Sequence, residues 1–137
     1  MTDVSDSLLP SPSDSSSPSG WRTVSIITWL LTFAATTAVA ISSRTIGRPV
    51  WWLGSASDPA PDGLIIVPIA LTVVPIVVSA RHVGRAGVTG IACSLALGAI
   101  ALGDIGDNQT IALAMGGVAI CALVANIAVW AGLRQYG

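Results

Sequence analysis

The sequence predicts an all-α integral membrane protein with four transmembrane helices in an antiparallel bundle and a disordered N-terminal tail. Of the 137 residues, 53% are hydrophobic and only 9% are charged, and the mean hydropathy is +0.78. A soluble domain carries roughly a quarter charged residues. Four apolar stretches follow Arg22, separated by short polar loops. Because a hydrocarbon core of ~30 Å needs about 20 helical residues, each stretch is a candidate crossing.

The tail is predicted over residues 1–21 and the transmembrane domain over residues 22–137. Ser, Pro and Asp dominate the chain as far as Gly20. Such a segment buries too little apolar surface to offset the entropy lost on ordering. We therefore expect the tail to be disordered and to lie in the cytoplasm.

The four helices are expected at about residues 23–43, 63–80, 87–103 and 109–133. Backbone polar groups in hydrocarbon must be satisfied internally, and apolar runs of this length predict helices rather than barrel strands. The third run is short and rich in Gly and Ala, which insert less favourably than Leu or Ile. A re-entrant or interfacial segment is the alternative for that run.

The arginines predict the orientation, because basic residues in loops are retained on the cytoplasmic side. With four crossings, the tail, the second loop and the C-terminal end share one side, which holds four of the six arginines. Arg44 and Arg48 lie on the other side, together with four aspartates. We expect a multi-pass protein of the plasma membrane with both termini in the cytoplasm. An Ala- and Gly-rich chain without Lys is typical of a G+C-rich bacterial genome.

The tryptophans are expected at the membrane boundaries. Trp51 and Trp52 are adjacent in the first external loop, and Trp21, Trp29 and Trp130 are placed near the inner boundary. Indole rings at helix ends commonly lie at the headgroup level, with the N–H in the wet layer. A ligand-binding aromatic platform at Trp51 and Trp52 is the alternative.

Small residues recur at four-residue spacing along one face of each of the last two helices. This spacing lets two helix backbones approach closely. At ~1.5 Å per residue from the inner ends, Gly98 is expected level with Cys121, and Ser94 with Ala125. We expect contact between the two helices along these faces, and a homodimer interface is the alternative. The packing candidates are Gly90, Ser94, Gly98, Gly117, Cys121 and Ala125.

Three polar side chains inside the predicted helices are singled out: Thr28, Thr32 and Asn126. An unpaired amide in lipid is costly, so Asn126 is expected to bond to Ser94, Thr28 or Thr32 at similar depth. The threonines are expected to bond to their own helix or a neighbour. A ligand contact at Asn126 and a polar path along the threonines are the alternatives.

The composition excludes several functions. A net charge of −1 excludes a nucleic-acid binder, which needs a dense basic face. No catalytic, cofactor-binding or metal-ligand pattern is found, so no enzyme and no cofactor are expected. No carboxylate falls inside a predicted helix, which excludes ion coupling by carboxylate. We expect an accessory or scaffolding subunit that acts through helix contacts, in a homo-oligomer or a larger membrane complex. A small oligomeric transporter or pore for a neutral solute or lipid is the alternative.

Overall fold

The computed structural model describes residues 18–135. Its long elements are four helices, each long and apolar enough to cross a membrane. The predicted all-α chain with four helices of spanning length is thereby confirmed. The helices are α1 (Pro18–Thr45), α2 (Asp62–Arg81), α3 (Val83–Leu102) and α4 (Gln109–Gln135).

The first helix begins at Pro18 rather than at Thr23, so residues 18–21 are helical and not part of a tail. Proline is tolerated in a first helical turn because its missing N–H would have no helical partner there. Trp21 also holds this turn against α4, since a side chain on Gly132 would collide with its ring. The remainder of the expected tail, residues 1–17, lies outside the described residues.

The third helix also begins earlier than predicted, at Val83 rather than Gly87. His82 alone separates it from α2, and the His82 N–H donates to the Val78 carbonyl at 2.7 Å. Ala86 and Gly87 are buried, so packing against the other helices extends α3 towards its N-terminus. With 20 residues, α3 is as long as α2.

The helices are packed with α1 and α3 at the centre and with α2 and α4 on opposite sides. Both α1 and α3 contact all the other helices, and the contact between α3 and α4 is the most extensive. Within residues 18–135, α2 and α4 share no contact. Both α1 and α3 therefore lie between these two helices.

On α1 and α2, hydroxyl-bearing side chains point inward and large aliphatic ones point outward, the reverse of a water-soluble bundle. The buried face of α1 carries hydroxyls and a tryptophan: Ser25, Trp29, Thr32, Thr36 and Ser43. The buried face of α2 is likewise made of small, polar or proline residues: Pro68, Thr72, Pro75 and Ser79. The exposed faces of the same helices carry large aliphatic side chains, among them Ile27, Leu30, Leu31, Ile66, Val73 and Val77.

The loop between α1 and α2 folds over one end of the bundle. Val50 and Trp52 are buried there in one cluster with Ala40, Ala101 and Met115. Gly47 and Gly54 have φ angles of +72° and +67°, a backbone conformation that favours glycine.

Candidate functional site

A cleft of about 220 Å³ lies between α1 and α2, beside the loop that joins them. Its wall is mainly apolar, with Phe33 and Ile41 from α1 and Ile65 and Ile69 from α2. Phe33, Ile41 and Ile69 are also exposed on the outer surface of the bundle. The cleft therefore opens to whatever surrounds the helices.

Two polar side chains in the wall of this cleft are buried without a hydrogen-bond partner. Trp52 is 4% exposed and its Nε1 is unpaired, and Thr36 is 6% exposed and its Oγ1 is unpaired. Nearly all buried polar groups are paired, and an unsatisfied group costs about 1–3 kcal/mol. The neighbouring Thr72 hydroxyl, by contrast, donates to the Ile69 carbonyl at 2.8 Å. Both side chains line the cleft, but their unpaired atoms are closed off from its open space.

Arg44 lines the same cleft where α1 ends. Its guanidinium donates to the carbonyls of Leu53 and Gly54 at 3.1 and 3.4 Å, which ties the loop to the helix. No acidic side chain within residues 18–135 forms an ion pair with it. Because a guanidinium has five N–H donors, it keeps donors for a further partner.

Asn126 is fully buried where α1, α3 and α4 meet. Trp29 Nε1 donates to Asn126 Oδ1 at 3.2 Å, and Asn126 Nδ2 donates to the Ala122 carbonyl at 2.7 Å. Gly90 leaves room for the carboxamide, because a side chain there would collide with it. Asn126 is therefore a paired packing group in this structure.

The predicted partners of Asn126 were wrong. The Ser94 hydroxyl donates to the Gly90 carbonyl at 2.8 Å, and the Thr32 hydroxyl donates to the Thr28 carbonyl at 2.8 Å. These two hydroxyls bond to backbone carbonyls of their own helices, and Thr28 is only half-buried. The longer indole of Trp29 reaches Asn126 instead.

The small residues of α3 face inward, whereas those singled out on α4 do not. Gly90 and Ser94 are buried and Gly98 is half-buried, whereas Gly117 and Cys121 are exposed and Ala125 is half-buried. A Cβ on Gly98 would lie 3.8 Å from Ala119, so the predicted pairing of Gly98 with Cys121 is wrong. Alanines form a second small-residue face on α4, and that face is the buried one: Ala112, Ala119 and Ala122.

The tryptophans divide into buried and exposed groups. Trp51 is 45% exposed, and the Arg134 guanidinium lies 4.0 Å from the centre of the Trp130 ring. Trp29 and Trp52 are buried, which corrects the expectation that they lie at the headgroup level. Sequence reasoning missed the role of Trp29, although it falls at helical spacing between the buried Ser25 and Thr32.

Asp104 anchors the loop to the turn between α3 and α4. It is 2% exposed; Oδ1 accepts a hydrogen bond from the Trp51 backbone N–H at 3.0 Å, and Oδ2 has no partner. Burial raises the pKa of Asp104, the bond from Trp51 opposes this, and the charge of Asp107 raises the pKa further. The Trp51 indole donates to the Ile100 carbonyl at 3.1 Å and lies against Gly103.

Neither a metal site nor a known relative indicates which reaction or ligand belongs to this cleft. Within the described residues, no group of three or more His, Cys, Asp or Glu side chains could hold a metal ion, and Cys93 and Cys121 are both free. No protein-family model, no curated protein and no solved structure matches the chain. The apolar cleft with Arg44 at its loop end is the candidate site that the geometry defines.

Proposed function

We propose that the chain is a multi-pass protein of the plasma membrane whose four helices cross the bilayer. The observation that carries this proposal is the inward orientation of hydroxyls and the outward orientation of large aliphatic side chains on α1 and α2. Between helices in lipid there is no hydrophobic driving force, so interfaces favour small and hydroxyl-bearing residues. Water would impose the opposite distribution.

The proposed bundle is antiparallel, with both termini in the cytoplasm. Two contacts support opposite directions for neighbouring helices. The Ser25 hydroxyl near the start of α1 lies 2.8 Å from that of Ser79 near the end of α2. Gly87, near the start of α3, lies against Trp130, near the end of α4. The orientation relative to the membrane rests on the arginine distribution.

Reporter fusions test this topology. Reporters placed before Trp21 and after Gly137 should both indicate cytoplasm, and one inserted at Ala56 in the exposed loop should indicate the opposite side. Opposite locations for the two termini would contradict four crossings. A water-soluble, correctly folded chain would contradict membrane insertion altogether.

Within the membrane, the proposed role is that of an accessory or scaffolding subunit without catalysis. Cys121 is exposed on α4, and a Cβ added at Gly116 or Gly117 would meet no atom within 4 Å. A face of small residues lets another helix approach closely. This face is the proposed contact with a second copy of the chain or with a larger membrane complex.

Cross-linking through Cys121 in native membranes tests this role, with Cys93→Ala as the background. We expect a product of twice the monomer mass for a second copy, or one heterologous adduct for a different partner. Gly117→Leu should suppress either product and leave the monomer stable, because the new side chain enters open space. Ala38→Leu, on the exposed face of α1, is the matched control and should not suppress it.

The proposed contact would be contradicted if neither cross-linked product formed, or if the two leucine variants gave equal yields.

A small oligomeric transporter or pore for a neutral solute or lipid is the second candidate, favoured by the cleft between α1 and α2. Asp62, the first residue of α2, is the only aspartate in the described helices, so carboxylate coupling is not part of this candidate. Transfer of fluorescent lipid between the leaflets of reconstituted liposomes would favour it over the accessory role.

A further inference from the structure

The cleft between α1 and α2 combines an apolar wall with an arginine at its loop end. We propose that it binds one acyl chain of an anionic phospholipid, with the headgroup phosphate at Arg44. This site rests on the proposed insertion into a bilayer. It does not depend on the helix-contact role of α4.

The apolar wall fits a single chain. Pockets that enclose a whole small ligand have volumes of about 300–1,000 Å³, and this cleft measures about 220 Å³. Phe33, Ile41 and Ile69 line it and are exposed on the outer surface, so a chain can enter from the side. The second chain and most of the headgroup would remain in the surrounding bilayer.

The polar end of the cleft selects what accompanies that chain. Trp52 Nε1 and Thr36 Oγ1 are closed off from the open space, so Arg44 is the charged group that a ligand there can reach. Trp52 and Arg44 both line the cleft, on the side of the loop. Thr36 precedes Arg44 by about 12 Å along the helix axis and would lie beside the chain rather than the headgroup.

The charge of Arg44 favours an anionic lipid over a zwitterionic one. A guanidinium binds phosphate in a planar, bidentate geometry. Its present partners are the two neutral carbonyls of Leu53 and Gly54, and no carboxylate of the described chain pairs with it. A zwitterionic headgroup would bring a second cation next to this positive charge.

Native mass spectrometry of the purified full chain tests the site, with phosphatidylglycerol and phosphatidylcholine of identical acyl chains as probes. The wild-type protein should retain phosphatidylglycerol several-fold better. Arg44→Gln should lower that retention about fivefold, the effect of one basic residue near a membrane surface. Arg48→Gln, an exposed arginine outside the cleft, is the charge-matched control and should retain the preference.

Because Arg44 also ties down the loop, a second pair of variants leaves that arginine unchanged. Ile69→Trp fills the cleft from the exposed face of α2 and should abolish the preference, whereas Ile66→Trp lies outside the cleft and should not.

Equal retention of the two lipids by the wild-type protein would overturn the proposal. Equal effects of the two arginine variants, together with equal effects of the two tryptophan variants, would overturn it as well. The topology reporters keep this test separate from membrane insertion. A chain that crosses the bilayer as proposed and has no lipid preference would contradict the lipid site alone.

Discussion

The two ends of the bundle differ in whether their buried polar groups have hydrogen-bond partners. At the end that contains Ser25, Trp29 and Asn126, here called the paired end, the Ser25 and Ser79 hydroxyls bond to each other and Trp29 bonds to Asn126. At the loop end, around Trp52 and Asp104, three buried atoms have no partner: Thr36 Oγ1, Trp52 Nε1 and Asp104 Oδ2.

The distance between the backbones of α3 and α4 also differs along α3. At the paired end, a Cβ on Gly87 would lie 2.7 Å from the Trp130 Cβ and 2.8 Å from its Cα. Further along the same helix, the nearest atom to a Cβ on Gly98 would be 3.8 Å away. Full pairing and close packing identify the paired end as structural. The loop end is the less completely paired one, and the proposed lipid site lies there.

Leucine at these two glycines of α3 should give the largest difference. Gly87→Leu places a side chain against backbone atoms of α4, which cannot move aside cheaply, and should lower the free energy of unfolding by about 3 kcal/mol or more. Gly98→Leu enters a partly open groove and should cost far less. Unfolding in detergent measures both, and equal losses would show that the two ends are packed alike.

Removing one polar group from each end should give the next largest difference. Asn126→Ala leaves the Trp29 N–H buried and unpaired and should cost about 1–3 kcal/mol. Thr36→Val removes a buried hydroxyl that already lacks a partner and keeps its shape, so it should cause no loss and should raise the stability by up to about 1–3 kcal/mol. A similar loss in both variants would contradict the assignment of paired and unpaired ends.

The pH dependence at Asp104 should give the smallest effect. Because its pKa is raised in the folded chain, the folded state holds this proton more tightly than the unfolded state does. The resulting stabilisation is complete below the unfolded pKa of about 3.9 and is lost as the pH rises through the folded pKa. The free energy of unfolding should therefore increase as the pH is lowered from 7 towards 4.

Asp104→Asn should remove this contribution and be at least as stable as the wild type at pH 7, because the amide oxygen still accepts from the Trp51 N–H. Asp107→Asn, at an exposed site in the same turn, removes only the weaker of the two causes that raise this pKa and should keep most of the pH dependence. Denaturation curves at both pH values measure the slopes. A wild-type slope that persists in Asp104→Asn would show that other groups carry it.

Much of the fold could be predicted from the sequence, because apolar runs of membrane-spanning length dominate it. The start of α1 was missed because Pro18 belongs to a Ser- and Pro-rich stretch, and proline is compatible with a first helical turn. Depth counting placed Gly98 near the right level of α4. It could not fix the rotation of that helix, since Ala119 and Cys121 are both small and lie on different faces.

The candidate site was beyond this kind of prediction. The sequence drew attention to Trp52 as a boundary residue, but nothing in a loop sequence specifies that this side chain packs inside the bundle with Ala40, Ala101 and Met115. The unpaired state of Thr36 is equally invisible, because the nearby Thr32 and Thr37 bond to their own helix in the usual way. Both features depend on tertiary contacts rather than on local preference.

The bond between Trp29 and Asn126 also sets a condition on biosynthesis, since its two partners are 97 positions apart in the chain. At about 5–20 residues per second, a ribosome needs about 5–20 s to travel from the first partner to the second. Throughout that interval the indole N–H has no amide to bind. A chain truncated before Asn126 keeps this defect permanently, so only completed translation closes the interior around Trp29.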